Sequence, residues 1–377
     1  MKRNTTLPIL TFGHFLIDLA CLYFFFSNYP QNGFVAGISS ALLYNFLAFA
    51  LQAPIGYFFD RFSARCNTSI GILFVLCGYI CGLYYVPSMG LILCGFGNAF
   101  YHVGGSIGIT RTDQKGLKDS GIFVSAGALG VSLGTYLATY MQDLFPAFAN
   151  TPTKMLLLLL IVLLFLQIPV ITPARHPVSP LSTGTNAALL LLSLFAVFVR
   201  SFGGLFFPTS YRTLFALPEN LTLSLFLLAM ASGITAFLGK FLGGFLSNLC
   251  TKFLHKFTPC KDLDIRSGNY LFGVFTLLLS TVLLVFGGSI PILCFLGIIC
   301  FHAAMPVTLF ELYCILPDRP GFAMGLSTVM LFLGYLPYAF VPLDGLPASL
   351  ILCLLTLLAA GCMIASLLIY RKEVHKY

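Results

Sequence analysis

Charged residues are scarce in this sequence of 377 residues. Asp, Glu, Lys and Arg together make up 8% of the chain, whereas soluble domains carry about 25%. Hydrophobic residues make up 58%, and the mean hydropathy is +0.96. No soluble fold could bury this much leucine and phenylalanine, so the shortage of charge excludes the soluble globular class. The surrounding solvent is lipid, and apolar segments of about 20 residues are long enough to cross it as helices.

Other features are also missing, and each absence excludes a class of protein. Short segments of alternating polarity, which are typical of a membrane β-barrel, do not occur. No glycine-rich loop that would hold a nucleotide phosphate is present, which disfavours an ATP-driven pump. Cys250 and Cys260 flank a basic loop without metal-ligand spacing, and most of the twelve cysteines lie within apolar runs. We therefore expect no cofactor and no bound metal.

Hydropathy predicts twelve spans in an all-α membrane fold, with Gly, Pro and charge as breakers. The first span follows the basic start "MKRNTT" and lacks a small-residue cleavage site, so we interpret it as an uncleaved span. A Pro-containing linker at 173–186 separates two six-helix halves, residues 1–172 and 187–377. The predicted spans are 7–27, 34–58, 68–86, 88–110, 120–144, 153–172, 187–209, 221–248, 269–288, 290–316, 320–343 and 347–370.

Positive charge orients this bundle. Nearly all loop Lys and Arg residues fall on one side, and the opposite loops hold only Lys154 and Arg212. Both termini are therefore expected in the cytoplasm. The net charge of +8 mostly reflects this topology and does not imply a nucleic-acid partner.

The two halves share an internal repeat. "GNAFYHVGG" in span 4 and "GIICFHAAM" in span 10 have the same Gly-to-His spacing at an offset of 200 residues. "QAPIGYFFDR" aligns with "GKFLGGFLSN", and span 1 aligns with span 7. The resulting pairs are His102 with His302, Gly56 with Gly244, Asp60 with Asn248, and Asp18 with Arg200. Three matches in the same order indicate two homologous halves, which is a recognised transporter architecture.

Motifs within this plan resemble those of the major facilitator superfamily. "GYFFDRFSAR", with Gly56, Asp60, Arg61 and Arg65, resembles the signature of that superfamily between helices 2 and 3. "SAGALGVSLG" in span 5 resembles its glycine-rich antiporter motif. Together with "HFLID" and "GNAFYHVGG", this run resembles the fosmidomycin-resistance-type branch.

The sequence departs from the family pattern at three places. Span 4 lacks the arginine that many drug antiporters of the superfamily carry. The span 5 motif lacks its usual proline, with Leu129 and Val131 around Gly130. The second half has Asn248 where a full signature would have Asp.

The resemblance implies a monomer in the bacterial plasma membrane, with a central cavity lined by helices 1, 4, 7 and 10. It also implies that a loop acid such as Asp60 holds the cytoplasmic gate shut, here against the positive end of helix 11 near Gly321. The residues expected to take part in gating are Gly56, Asp60, Arg61, Arg65, Gly130 and Gly134. Alternatively, the glycines only pack helices and the arginines only set topology.

Polar residues lie at one depth on the four predicted cavity helices, and ionisable groups at bilayer depth mark a functional site by default. Asp18 and His14 are the expected proton-coupling residues, because burial disfavours a charged carboxylate and a nearby cation restores it. An arginine would hold an anionic or amphipathic substrate. The expected substrate-binding residues are Arg200, His102, His302, Asn98 and Tyr101.

Simpler interpretations stay open for several of these groups. His14 is alternatively a hydrogen-bonded packing residue, and Asp18 alternatively forms a structural ion pair with Arg200. Lys240 is expected towards the cytoplasmic end of its span, where its side chain can snorkel. Glu311 is expected at the end of span 10, as a gate residue or a solvated helix end.

These residues predict a proton-coupled secondary active transporter, an exporter or antiporter of small anionic or amphipathic organic compounds that works by alternating access. The resembled branch, whose named substrate is a phosphonate antibiotic, implies the same substrate class. An importer or facilitator of an organic anion or metabolite stays open. So does a membrane-embedded transferase with His14 as base and Asp18 as its orienter, although the repeat argues against an enzyme.

Overall fold

The computed structural model describes residues 3–29, 34–61, 67–112, 117–148, 151–167, 183–208, 210–216, 221–257, 264–340 and 345–374. Over these ranges the chain is all-helical, as predicted. The α-helices are α1 (Arg3–Asn28), α2 (Phe34–Asn45), α3 (Gln52–Arg61), α4 (Asn67–Tyr84), α5 (Pro87–Thr112), α6 (Leu117–Leu144), α7 (Thr151–Gln167), α8 (Thr183–Gly203), α9 (Leu221–Phe257), α10 (Ile265–Val285), α11 (Pro291–Ile315), α12 (Pro320–Phe340) and α13 (Ala348–Val374).

Predicted span 2 is interrupted by a π-helical turn, Phe46–Ala50, between α2 and α3. The backbone N–H of Leu51 donates to the carbonyl of Phe46 at 3.2 Å, which is the wider hydrogen-bond ring of a π-helix. Such a turn leaves nearby carbonyls available to side chains. Hydropathy does not register it, because every residue of the turn is apolar.

Helix α9 is longer than predicted and ends at Phe257. The hydroxyl of Ser247 donates to Oδ1 of Asn269 at 2.6 Å, so this polar end of α9 packs on α10 rather than unwinding into a loop. Lys240 therefore lies close to the middle of α9. The expectation that Lys240 is near the end of its span is wrong.

Ten helices are long and apolar enough to cross a membrane among the described residues, with α2, its π-helical turn and α3 counted as one. Helix α7 is a shorter apolar helix. Helix α5 is not among the ten, and it carries the polar residues Asn98, His102 and Ser106. Twelve crossings and cytoplasmic termini stay predictions.

The N half (α1–α7) and the C half (α8–α13) repeat the same close contacts. A Cβ atom on Gly97 of α5 would lie within 2.6 Å of the Gly71 carbonyl of α4, and one on Gly297 of α11 would lie 2.7 Å from Leu284 of α10. The predicted linker at 173–186 falls mostly outside the described residues, so the place of the domain boundary stays a prediction.

Glycines bring the two halves together at two related places. A Cβ atom on Gly56 of α3 would overlap the carbonyl oxygen of Gly321 of α12. On the other side of the bundle, a Cβ atom on Gly121 of α6 would lie 2.7 Å from the Cα atom of Gly244 of α9. Since any larger residue would push these helices apart, the predicted close packing at Gly56 is confirmed.

Within the N half, α6 packs directly on α1. Cβ atoms on Gly130 and Gly134 would overlap the carbonyl oxygens of Phe15 and Leu19. The predicted packing role of both glycines is confirmed, while their gating role stays a prediction. This close approach places the backbone of α6 beside His14 and Asp18.

Candidate functional site

Asp18 of α1 is the centre of a buried polar cluster in the N half. Its Oδ1 atom accepts a hydrogen bond from Nδ2 of Asn98 at 2.7 Å and lies 3.1 Å from Nε2 of His102. Its Oδ2 atom lies 3.2 Å from Nε2 of His14, one helical turn earlier. All four residues are at most 5% exposed. The structure thus brings together four of the predicted site residues.

His14 is held by the backbone of α6. Its Nδ1 atom lies 2.7 Å from the carbonyl oxygen of Phe123, and the two rings have their centroids 4.4 Å apart. A carbonyl only accepts, so Nδ1 carries a proton. Nε2 is then the nitrogen that faces Asp18 and that gains or loses a proton.

His102 is held by Gln52, a residue that the sequence analysis did not select. Nε2 of Gln52 donates to the carbonyl of Ala48 at 2.7 Å, within the π-helical turn, and lies 3.0 Å from Nδ1 of His102. The carbonyl of Ala48 requires the amide nitrogen of Gln52 at this place, so Nδ1 of His102 accepts. His102 therefore donates from Nε2 to Asp18.

These contacts set the number of protons in the cluster. His102 and Asn98 each donate to Oδ1 of Asp18, and His14 uses its Nδ1 proton on Phe123. Between Nε2 of His14 and Oδ2 of Asp18 there is room for one more proton. With that proton the His14–Asp18 pair is neutral overall. Without it, two lone pairs face each other and the cluster carries one negative charge.

The cluster forms one wall of a cavity of about 270 Å³ between the two halves. On the opposite side, Lys240 of α9 reaches the same cavity, together with apolar and hydroxyl side chains of α11 and α12. The lining residues are His14, Asp18, Phe49, His102, Val124, Gly127, Ala128, Val131, Ser132, Ser232, Gly233, Ala236, Lys240, Met305, Leu309, Met324, Ser327, Thr328 and Leu331. Lys240 forms no hydrogen bond or ion pair with any described residue.

Two histidines and a carboxylate are also a donor set that a metal ion can use, and the three donor atoms lie within 4.8 Å of one another. A metal on Nε2 of His102 would require a proton on Nδ1. That proton would point at the amide N–H group of Gln52, which itself donates to His102 and Ala48. The hydrogen bonds of His102 therefore suit a proton better than a metal.

Four predicted substrate-binding residues are not among those that line this cavity, and their substrate-binding role stays a prediction: Asn98, Tyr101, Arg200 and His302. Tyr101 is fully buried, where its hydroxyl donates to the carbonyl of Leu10 at 3.1 Å and accepts from Gln167 at 2.9 Å. Leu10 belongs to α1 and Gln167 is the last residue of α7. His302 contacts the rings of Phe207 and Phe301.

Arg200 does not face Asp18, so the alternative of an ion pair between these two residues is wrong. Its Nη1 atom donates to Oγ1 of Thr308 at 3.2 Å, and its guanidinium lies 5.5 Å from the ring centroid of Phe301. Nε of Arg200 has no partner among the described residues. The side chain points towards α11 within its own half, because helical phase, and not depth alone, decides which face a residue occupies.

At one end of the bundle, Asp60 caps α12 across the interface between the halves. Its Oδ1 and Oδ2 atoms accept from the backbone N–H groups of Gly321 and Phe322 at 3.0 and 2.8 Å. The predicted contact with the positive end of this helix is confirmed. Arg61 stacks over the ring of Tyr57 at 4.4 Å, whereas Arg65 lies outside the described residues.

Glu311 is not solvated. It is 3% exposed and forms a bidentate ion pair with Arg266 of α10, with 2.8 Å between Oε2 and Nε. Both residues belong to the C half. The alternative of a solvated helix end is wrong, and the ion pair fastens α10 to α11.

No protein-family model matches the chain, and no curated protein matches it. Several solved structures are similar to it over nearly its whole length. The chain is similar to the E. coli fucose:proton symporter FucP over 99% of both chains, at 15% identity and a TM-score of 0.60. It is similar to a bacterial homologue of the iron transporter ferroportin, at 16% identity and a TM-score of 0.58 over 98% of this chain and 99% of that one.

A third similar structure is the human organic anion transporter MFSD10, at 13% identity and a TM-score of 0.61, with 98% of this chain and 99% of that one covered. One structure of FucP is described as a major facilitator superfamily transporter. The similarity spans nearly the whole length of the chain in each case. The chain is thus a multi-pass membrane protein with the fold of the major facilitator superfamily transporters.

Proposed function

We propose that this chain is a proton-coupled secondary active transporter that moves a small anionic or amphipathic organic compound by alternating access. The observation that carries the proposal is the buried His14–Asp18–His102 cluster, which has a place for one exchangeable proton and faces a cavity between two repeated halves. Ionisable groups at this depth are expensive unless they have a task. Rocking of the halves would expose the cluster to each side in turn.

In this proposal Asp18 and His14 share the transported proton. His102 and Asn98 hold Oδ1 of Asp18 and so aim Oδ2 at His14. Gain or loss of the proton changes the charge beside the cavity by one unit. That change biases the binding of a charged substrate, which is the thermodynamic requirement for coupling.

The anionic substrate class is supported by the cavity walls and by one similar protein, and the proton coupling is supported by another. Lys240 gives the cavity a positive charge opposite Asp18. FucP is a fucose:proton symporter, and MFSD10 is an organic anion transporter. The branch resemblance and its phosphonate substrate belong to the same proposal. Export by antiport, as predicted from the sequence, requires proton and substrate to compete. Symport requires each to favour the other.

We assign the gate to the Asp60 end. Asp60 holds α12 from the other half, and Gly56 lets α3 and α12 touch. Opening at this end breaks two charge-assisted hydrogen bonds, which are replaced by water. Arg61, Arg65, Gly130 and Gly134 complete the proposed gating set.

The transferase alternative fits the geometry poorly. In a His–Asp catalytic pair the acid orients one ring nitrogen and leaves the other for the substrate. Here Nδ1 of His14 faces the carbonyl of Phe123, and Nε2 faces Asp18 itself. Neither nitrogen is available as a base while the pair is formed.

The test is proton flux in proteoliposomes under an imposed pH gradient, with pooled organic anions, cations and neutral solutes supplied separately. Wild type, Asp18→Asn and Asp143→Asn are compared, the last being the same change in the last turn of α6. We expect solute-dependent flux in wild type and Asp143→Asn and none in Asp18→Asn. Equal flux in all three would remove Asp18 from the mechanism, and no solute-dependent flux with any pool would contradict proton coupling.

A further inference from the structure

Lys240 is the one cation among the cavity-lining residues, and it has no hydrogen bond or ion pair to a described residue. Its immediate neighbours on the wall are small: Ser232, Gly233 and Ala236 lie on the same face of α9, one and two turns earlier. Lys240 is thus the large, charged residue on a wall that is otherwise made of small side chains along α9. A charged group in this position needs an opposite charge when the cavity closes.

The neighbouring wall is suited to a small ligand body. Met305, Leu309, Met324 and Leu331 supply apolar surface, and Ser132, Ser232 and Ser327 supply hydroxyls. The volume of about 270 Å³ lies just under the roughly 300–1,000 Å³ range of pockets for drug-sized ligands. A small molecule with one anionic group therefore matches this site in charge and size.

We infer that Lys240 is the anion-binding residue of the cavity, that its ligand is a small organic monoanion, and that this anion binds and moves together with the proton of the His14–Asp18 pair. The inference rests on the proposed function and specifies its substrate class and its direction of coupling. It replaces the predicted antiport by symport, and the predicted Arg200 by Lys240.

Charge balance at the cavity walls carries the argument for symport. The empty cavity with the proton absent has Lys240 and ionised Asp18, which sum to zero. The cavity with both proton and anion also sums to zero. With the proton alone it has one excess positive charge, and with the anion alone one excess negative charge. Since unbalanced charge is costly to exclude from water, only the empty and the doubly loaded cavity close readily.

Antiport would require the cavity to close in the two loading states whose charges do not balance. It needs closure with the proton alone in one direction and with the anion alone in the other, and both states are unbalanced. Competition between proton and substrate at Asp18 would suit a cationic substrate, which the ammonium of Lys240 repels. The geometry of the two walls thus links the substrate charge to the sense of coupling.

The other charged or titratable groups near Lys240 are Asp18 with His14 and His102 in the N half, and Arg200 and His302 in the C half. Arg200 is buried outside the cavity walls and bonds to Thr308. It attracts an anion equally whether or not the cluster holds a proton. Arg200 therefore leaves the effect of the proton on anion affinity unchanged.

Binding of small sulfonates to the purified protein tests this inference. Methane-, propane- and benzenesulfonate stay ionised at every pH used, so any pH dependence comes from the protein. We expect affinity about tenfold higher at about pH 5.5 than at about pH 8, on either side of the imidazole range. Benzenesulfonamide and benzyltrimethylammonium serve as neutral and cationic controls of similar shape.

Four variants separate Lys240 from its competitors. Lys240→Gln should lose sulfonate binding, and Lys240→Arg should restore it, which shows that the loss comes from the charge and not from misfolding. Arg200→Gln should retain both the binding and its pH dependence. Asp18→Asn, with a permanently neutral side chain, should bind at both pH values with the affinity that wild type has in acid.

Proteoliposomes give the sense of coupling. An inward sulfonate gradient should acidify the lumen of wild-type vesicles and leave protein-free vesicles unchanged, because sulfonates cannot carry a proton across lipid. Alkalinisation would establish antiport. Binding that is tighter in base, that is lost in Arg200→Gln but kept in Lys240→Gln, or that is confined to the cation or neutral probe would overturn the inference. Solute-dependent proton flux with the cation pool alone would overturn it and leave only the proton-coupled part of the proposed function standing.

Discussion

The two halves of this protein have the same helix plan but different chemistry. The alignment that pairs Gly56 with Gly244 also pairs Gln52 with Lys240. Equivalent positions thus hold Asp18, Gln52 and His102 in the N half, and Arg200, Lys240 and His302 in the C half. The first three are joined in one hydrogen-bonded cluster. No hydrogen bond joins the second three to one another in the part of the chain that the structure describes.

The difference shows what the repeat preserves. Glycine contacts between α4 and α5 recur between α10 and α11, because helix packing needs small residues at the same places in both halves. Polar side chains are free to diverge once packing is satisfied. In our proposal the N half holds the proton site, while the C half contributes cations, with Lys240 at the cavity and Arg200 outside its walls.

The largest expected difference between the halves concerns the two aligned histidines. His102→Ala removes the donor to Asp18, and we expect proton-coupled flux to fall by about 100-fold or more, within the range of an essential proton-transfer group. His302→Ala removes a ring between Phe207 and Phe301 and should change the flux by less than about twofold.

Solute-dependent proton flux in proteoliposomes measures both variants at matched protein content. Equal losses of flux in the two variants would show that both histidines take part in proton transfer. The contrast drawn between the two halves would then be wrong.

The second difference concerns the aligned pair Asp60 and Asn248. Asp60→Asn replaces a carboxylate at the positive end of α12 by a neutral amide, and we expect the amides of Gly321 and Phe322 to exchange hydrogen about 10 to 100 times faster. Asn248→Asp, the reciprocal change, leaves those contacts intact and should leave the two amides unchanged. Hydrogen–deuterium exchange with peptide resolution across 317–324 checks both variants.

The third difference concerns Gln52, which contacts Nδ1 of His102 and so influences the pH at which the cluster loses its proton. Gln52→Glu places a negative charge beside Nδ1 of His102 and favours a protonated ring. The cluster then keeps its protons to more alkaline pH, and the midpoint of the flux–pH profile should move up by about one unit. Gln52→Leu removes the contact without adding charge and should lower the flux without that upward shift. An unmoved midpoint in Gln52→Glu would remove Gln52 from the proton site.

The smallest expected effect is that of Tyr101→Phe, which makes the N half resemble Phe301 of the C half. The change removes the hydrogen bonds to Leu10 and Gln167 and should lower the free energy of unfolding by about 1 kcal/mol. Substrate affinity should not change, because the hydroxyl is bonded to α1 and α7 and Tyr101 is not among the residues that line the cavity. Thermal unfolding and a transport assay together check this, and a change in affinity would return Tyr101 to the substrate site.

Much of the architecture follows from composition and periodicity. The shortage of charge requires a lipid environment. In lipid, a bundle of α-helices satisfies the hydrogen bonds of the backbone N–H and C=O groups within each helix. The pairing of Asp18 with His14 follows from their spacing of four residues on one helix, whereas the contact of Asp60 with α12 was implied by the family resemblance. Local spacing is reliable because a helix has a fixed pitch.

The composition of the site was decided only by tertiary structure. Hydropathy predicts Arg200, His302 and Tyr101 at the depth of the cavity, but none of the three is among the residues that line it. Gln52 joins the cluster because its amide nitrogen bonds to the carbonyl of Ala48 in the apolar π-helical turn, and Lys240 lines the cavity because close packing of α9 on α6 sets the rotation of α9. Hydropathy indicates which residues lie within the bilayer. It carries no information on how a helix is rotated about its axis, or on which backbone carbonyl is left without a hydrogen bond.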